Sequence, residues 1–170
     1  MTAFVALLRG INLGKRQLKM ADLKRIAVDL GLGSPRTYIA SGNLLFSSDE
    51  NEPALKAKLE KSLAEHMGSA VAVMIRTEKE MRAVAKVNPF PGEPGNKVVA
   101  IFLDHAPPKD AGRQAGKVAG ERIEVGKREL YVHYPNGQGP SKLVIPAAAK
   151  GTARNMNSVV KLAELAGELE

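Results

Sequence analysis

The first apolar run, FVALLR, is hydrophobic at both alternating sets of positions: Phe4, Ala6 and Leu8 on one side, Val5 and Leu7 on the other. A strand of that kind is covered on both faces, which places it inside a sheet. After a loop of Gly, Asn and basic residues, Met20, Leu23, Ile26, Ala27 and Leu30 recur at helical spacing, and Gly31 with Gly33 supplies the stop. Thr37 to Ala40 and Leu44 to Phe46 are short β-prone runs on either side of Ser41, Gly42 and Asn43, the composition of a hairpin turn. Leu55, Leu59, Leu63 and Met67 predict a second helix, with Pro53 near its first turn and Gly68 as terminator. Val71, Val73 and Ile75 predict the next strand. The order is strand, helix, strand, strand, helix, strand, the split βαβ pattern of ferredoxin-like domains.

A helix from Glu78 to Val87, capped by Thr77, leads into NPFPGEPGN, where three Pro and two Gly break regular structure. A boundary there divides the chain into residues 1–88 and 89–170. The second part is expected to repeat the scheme. Its predicted elements are a strand from Lys97 to Leu103, a helix after Pro107 and Pro108, strands Arg122 to Val125 and Glu129 to Tyr134 about Gly126 and Lys127, and a helix near Ser141 to Lys150 interrupted by Pro146. A last helix runs from Asn157 to Glu168. The expected fold is α+β: two ferredoxin-like units packed together, with antiparallel sheets and helices, plus a C-terminal helix. Packing one unit on the other, or on a second copy as a homodimer, would cover the remaining sheet faces.

Composition narrows the chemistry. The 170 residues include no cysteine, which excludes disulfide scaffolds, thiol catalysis and thiolate metal sites. Aromatic residues are only 4% with no Trp, so stacking surfaces are scarce. Lys and Arg number 25 against 18 Asp and Glu, a net charge of +7 that favours anionic partners. That charge is uneven. From Arg9 to Arg36 there are seven cations (Arg9, Lys15, Arg16, Lys19, Lys24, Arg25, Arg36) against Asp22 and Asp29. The N-terminal apolar run stops at Arg9, short of a signal-peptide core, and no stretch approaches the roughly twenty apolar residues of a spanning helix. A cytoplasmic protein without membrane contact is expected.

GINLGKR, Gly10 to Arg16, has the look of a phosphate-binding loop but departs from the Walker pattern. Three residues rather than four separate its glycines, and Arg16 stands where Ser or Thr would hold magnesium. An anion site of looser form needs only backbone amides and cations. Topology favours one. In the expected sheet the first and second strands run in the same direction, so the loop after the first strand and the hairpin after the second emerge at one end. Arg9, Asn12, Lys15 and Lys19 are then expected near Ser41 and Asn43, which together offer donors to anionic oxygens. The plainer reading is that Asn12, Ser41 and Asn43 satisfy turn backbones. Before the last helix, Asn155 or Asn157 suits an N-cap. Arg154 is a cation near the positive end of a helix dipole, which asks for an anionic neighbour. It is expected to join the first cluster.

LLRGINLG, KMADL, YIASGNLLF and TARNMNSV, in this order, resemble the bacterial family known as domain of unknown function 1697, over nearly the whole chain from Ala6 to about Leu165. The resemblance implies ferredoxin-like units and no established activity. It marks Arg9, Gly10, Asn12, Ser41, Gly42, Asn43, Thr152, Arg154 and Asn155 as motif positions without assigning them roles. Met156 stands where the family usually has Trp.

His66, His105 and His133 are isolated and lack metal-ligand spacing, and Ser41 lacks a nucleophile elbow, so neither a metal nor a cofactor is expected. Phe4 and Phe46 stand alone among apolar neighbours, unlike the aromatic sets of RNA-recognition sheets. The leading expectation is binding of an anionic ligand, a nucleotide-like small molecule or nucleic-acid phosphate, by Arg9, Asn12, Lys15, Lys19, Ser41, Asn43, Arg154 and Asn155. Two alternatives stay open: an enzyme acting on a phosphorylated or carboxylated small molecule, and an interaction protein with no ligand site.

Overall fold

The two-sided apolar run becomes β1 (Thr2–Leu8), whose residues from Ala3 onward are all buried, in a computed structural model that describes residues 1–169. It pairs antiparallel with β3 (Asn43–Ser48) on one side and β4 (Val73–Thr77) on the other, and β2 (Gly33–Thr37) adds at the edge beside β3. The sheet order is β2-β3-β1-β4. The helices α1 (Met20–Asp29) and α2 (Glu52–Met67) cover one face. There Leu23, Ile26 and Ala27 of α1 and Leu55, Leu59 and Leu63 of α2 join Phe4, Ala6, Leu8, Phe46, Val73 and Ile75 in one apolar cluster. Each fully buried Leu there contributes roughly 1.5–3 kcal/mol relative to exposure. The alternate residues Val5, Leu7, Leu45 and Met74 are buried too. Phe4 and Phe46 are register partners whose rings stack within this core at 5.7 Å.

The helix ends follow local rules. Asn51 caps α2 by accepting the Ala54 N–H at 3.0 Å, Pro53 sits in the first turn, and Gly68 closes the helix at φ 73°. The α2 side chains also finish the edge of β4. Glu60 accepts the Val73 N–H, and Lys56, paired with Glu60, donates to the Val73 carbonyl. Thr77 and Glu80 form a reciprocal capping box that starts α3 (Glu78–Val87): Thr77 Oγ1 accepts the Glu80 N–H and Glu80 Oε1 accepts the Thr77 N–H.

The strand expected at Thr37 to Ala40 lies earlier, at Gly33–Thr37. Tyr38 to Ala40 belong to the turn, where Tyr38 N–H bonds Asn43 O and Ile39 takes a left-handed φ of 48°. As an edge strand, β2 needs only β3, and its register shifts between Gly33 and Arg36, so a Gly-Ser-Pro stretch of low β propensity suffices.

By contact density the chain forms two units: Met1–Arg82 with the segment from Lys161 onward, and Ala83–Val160. The divisions fall inside α3 and inside α4 (Met156–Gly167), whereas composition marks residues 88–96. In the second unit β5 (Val98–Phe102), β6 (Arg122–Val125), β7 (Glu129–His133) and β8 (Thr152–Asn155) form an antiparallel sheet of order β6-β7-β5-β8. The sequence of pairings repeats that of the first sheet. The two helices expected within it do not form. Turns follow Pro107 and Pro108, and the Ser141 to Lys150 stretch keeps only a single 3-10 turn at Pro146–Ala148. Gly112, Gly116, Pro140 and Pro146 interrupt both stretches. Loop residues Ala111 and Ile145 instead join Val99, Ile101, Leu130 and Val132 in the core. The TARN stretch, expected as a polar lead-in to the last helix, is the edge strand β8, paired with β5 from Phe102↔Thr152 to Val99↔Asn155.

Candidate functional site

The register fixes which loops share an end of the first sheet. Leu7 opposes Asn43, Leu8 opposes Val73, and Thr37 opposes Leu44. The segment after β1, the turn between β2 and β3 and the start of β4 therefore meet. Backbone bonds seal the junction: Leu8 N–H to Gly42 O at 2.9 Å and Arg9 N–H to Ala72 O at 2.9 Å. Gly42 must be glycine on two counts. Its φ is 92°, and a Cβ there would come within 2.6 Å of Ile11 Cδ1.

Asn12 organises the loop. Its side-chain carbonyl accepts the Leu18 N–H at 2.7 Å, and its amide donates to Leu18 O at 3.0 Å and to Ala40 O at 2.5 Å. One side chain thus closes residues 12–18 on themselves and fastens them to the β2–β3 turn. Its backbone sits at φ 57°, with Gly10 and Gly14 each at 64°. A left-handed residue at every second position coils this segment tightly, and Asn is among the few non-glycine residues that tolerate the conformation. Asn43 does the same work in the turn. Fully buried, its amide donates to Tyr38 O at 2.8 Å and to Ser41 Oγ at 3.0 Å.

Asn12, Ser41 and Asn43 are therefore brought together with structural duties, as the plainer reading of turn residues has it. The cations differ. Arg9, Lys15 and Lys19 are exposed, and Lys19 immediately precedes α1, whose N-terminus has no side-chain cap. Arg16, which breaks the Walker pattern in the sequence, has the most informative placement. Its Nη2 donates to Ala70 O at 2.6 Å, while its Nε is out of solvent and has no hydrogen-bond partner. From Arg9 to Lys19 there are four cations and no acidic residue. An uncapped helix start, four cations and an unmet N–H can hold an oxyanion.

Arg154 and Asn155 lie in the second unit. Arg154 is buried on β8, where its Nη1 donates to Ala153 O at 2.8 Å and burial pulls its guanidinium down to about 10, still charged at neutral pH. Asn155 is the N-cap of α4, accepting the Ser158 N–H at 2.9 Å. Met156 is buried. His133 is also buried, its Nδ1 3.3 Å from Arg122 Nη2 and its Nε2 3.1 Å from Glu93 Oε2, close enough for an ion pair but off the hydrogen-bond direction. No helix among the described residues is long and apolar enough to cross a membrane.

A family profile described as "Protein of unknown function (DUF1697)" matches residues 1–131. The chain belongs to the DUF1697 family. The match takes in the LLRGIN, KMADL and YIASGN segments, and TARN lies beyond it. None of the curated proteins searched matches the chain. Among solved structures, the chain is similar to one described as conserved bacterial protein SP0830 from Streptococcus pneumoniae, at 24% identity and a TM-score of 0.81, covering 98% of this chain and 99% of that one. At that identity the likeness speaks for the fold alone. This DUF1697 member shares its arrangement of two antiparallel sheets and helices with that neighbour.

Proposed function

We propose that the protein binds a phosphate-bearing ligand, a nucleotide-like small molecule or nucleic-acid backbone, where the loop of residues 9–19 meets the turn of residues 38–43. The observation that carries this reading is Arg16. A guanidinium N–H withdrawn from water without an acceptor costs roughly 1–3 kcal/mol, and an incoming oxyanion would supply the acceptor. Arg9, Lys15 and Lys19 add field to the same loop, while Asn12, Ser41 and Asn43 hold its shape. Arg154 and Asn155 already have duties inside the second unit, so the reading rests on the first-unit residues. These include no carboxylate or imidazole to act as a general base, which favours binding over catalysis. The element order β1-α1-β2-β3-α2-β4 and sheet order β2-β3-β1-β4 support a ferredoxin-like assignment for this unit.

Fluorescence anisotropy with a labelled single-stranded oligonucleotide, and titration calorimetry with mononucleotides, test the proposal. Saturable binding is expected that weakens with salt, with a log–log slope of about −0.7 per phosphate contact for a single strand. Arg16→Ala should lower affinity at least tenfold in whichever arm binds. Absence of saturable binding in both arms, or unchanged affinity in Arg16→Ala, overturns it.

A further inference from the structure

Far along the chain from that loop, a second feature of the Ala83–Val160 unit offers its own chemistry. Residues 117–121 and 136–142 line an open pocket of about 360 Å³, within the range of about 300–1,000 Å³ of small-molecule sites. Its two walls are clamped. A short antiparallel bridge joins Gly116 and Val144 through paired backbone bonds of 2.8 and 3.0 Å. Glu121 then spans the gap, its Oε1 accepting the Ala119 N–H at 2.6 Å and its Oε2 accepting the Ser141 hydroxyl at 2.8 Å. Those two donors hold its carboxyl below the usual carboxylate range, so it is ionised at neutral pH.

The walls carry one lysine each. Lys117 and Lys142 are exposed and, among the described residues, neither has an ion-pair partner. Lys117 also sits at a left-handed φ of 56°. Non-glycine residues rarely adopt that conformation, and such strain collects at ligand clamps. Two unpaired ammonium groups attract an anion. A bare anion would also face the Glu121 charge, so the favoured ligand pairs its anionic group with hydroxyls that can donate to the carboxylate. Asn136 can both donate to and accept from hydroxyls. Val118 and Pro140 add apolar surface for a ring face.

We propose that this pocket binds a small sugar phosphate, its phosphate held by Lys117 and Lys142 and its hydroxyls by Glu121 and Asn136. The proposal uses residues of the Ala83–Val160 unit alone and does not depend on the binding proposed for residues 9–19.

Amide chemical-shift titration of the whole protein with ribose 5-phosphate, and in parallel with ribose and with inorganic phosphate, tests the idea. Ribose 5-phosphate should shift residues 117–121 and 136–142 saturably and bind more tightly than either fragment. The double substitution of Lys117→Ala and Lys142→Ala should weaken it at least tenfold with no change in thermal midpoint, since both side chains are exposed. Lys15→Ala with Lys19→Ala should leave it unaltered, whatever becomes of oligonucleotide binding. The proposal is overturned if no saturable shift appears at millimolar ligand, if inorganic phosphate binds equally well, or if the shifts map to residues 9–19 and 38–43.

Discussion

Asn12 shows how much one side chain can hold. It makes three hydrogen bonds and occupies a left-handed backbone position at φ 57°. Replacing it by Ala removes all three bonds and puts a Cβ residue with no compensating side chain into the left-handed region. Asn12→Ala should lower stability by about 2–3 kcal/mol in urea denaturation. Asn12→Gly keeps the backbone at ease and should cost less, about 1–2 kcal/mol. Equal losses would mean that the bonds, not the conformation, carry the whole effect. Ile39 departs from local preference in the opposite way. A β-branched residue at φ 48° has no propensity reason to be there, and its side chain is half exposed in the turn that Asn12 fastens. Such a residue could not be located from sequence, where Tyr38 to Ala40 simply look β-prone.

Elements formed where several local signals agreed. The helix from Glu78 to Val87 was legible because Thr77 suits an N-cap, and the structure adds Glu80, which completes a capping box in which both reciprocal bonds form. Thr77→Ala should cost about 1 kcal/mol, and a cycle with Glu80→Ala should show the two losses to be less than additive, because each removes half of the same motif. If the losses add fully, the box is not a unit. In the second unit the local signals conflicted. Pro107 and Pro108 looked like a helix start, but the following stretch carries Gly112 and Gly116 and too few large apolar residues to reward a helix. The strand β8 was hidden for a different reason. Thr152 and Arg154 are polar yet face a buried environment, so the alternation that reveals a strand is written in side chains that normally signal a surface.

At the scale of the whole molecule, alkaline pH should report on the second core. Burial and the Glu129 charge raise the Tyr131 hydroxyl above its usual value, and burial with the Glu121 charge does the same to Tyr134. The sign follows directly. Below about pH 10 folded and unfolded states both keep these protons. Above it the unfolded chain releases them first, so stability falls as pH rises. Arg154, pulled down to about 10, pushes the other way in that range. The comparison of wild type with Tyr131→Phe isolates one group: the variant loses the bond to Val84 O at every pH, and the difference between the two should shrink above about pH 10. A difference that stays constant to pH 11 would show that Tyr131 titrates normally.

Periodicity and capping residues sufficed for β1, α1, α2, α3 and the β6–β7 hairpin, because in those segments hydrophobic spacing, caps and turn residues all favour one local structure. The basic segment from Arg9 was equally plain as composition, and the shared sheet end followed from strand direction. Which cation lacks an acceptor was not plain. Arg16 has its Nη2 on Ala70, distant in sequence by 54 positions, and an unmet Nε arises only from how that contact turns the guanidinium. The pocket between residues 117–121 and 136–142 likewise exists because a bridge at Gly116 and Val144 and the two bonds of Glu121 draw together loops with no regular pattern. Spacing along the chain encodes neighbours within an element. Contacts between distant loops depend on the three-dimensional path of the backbone.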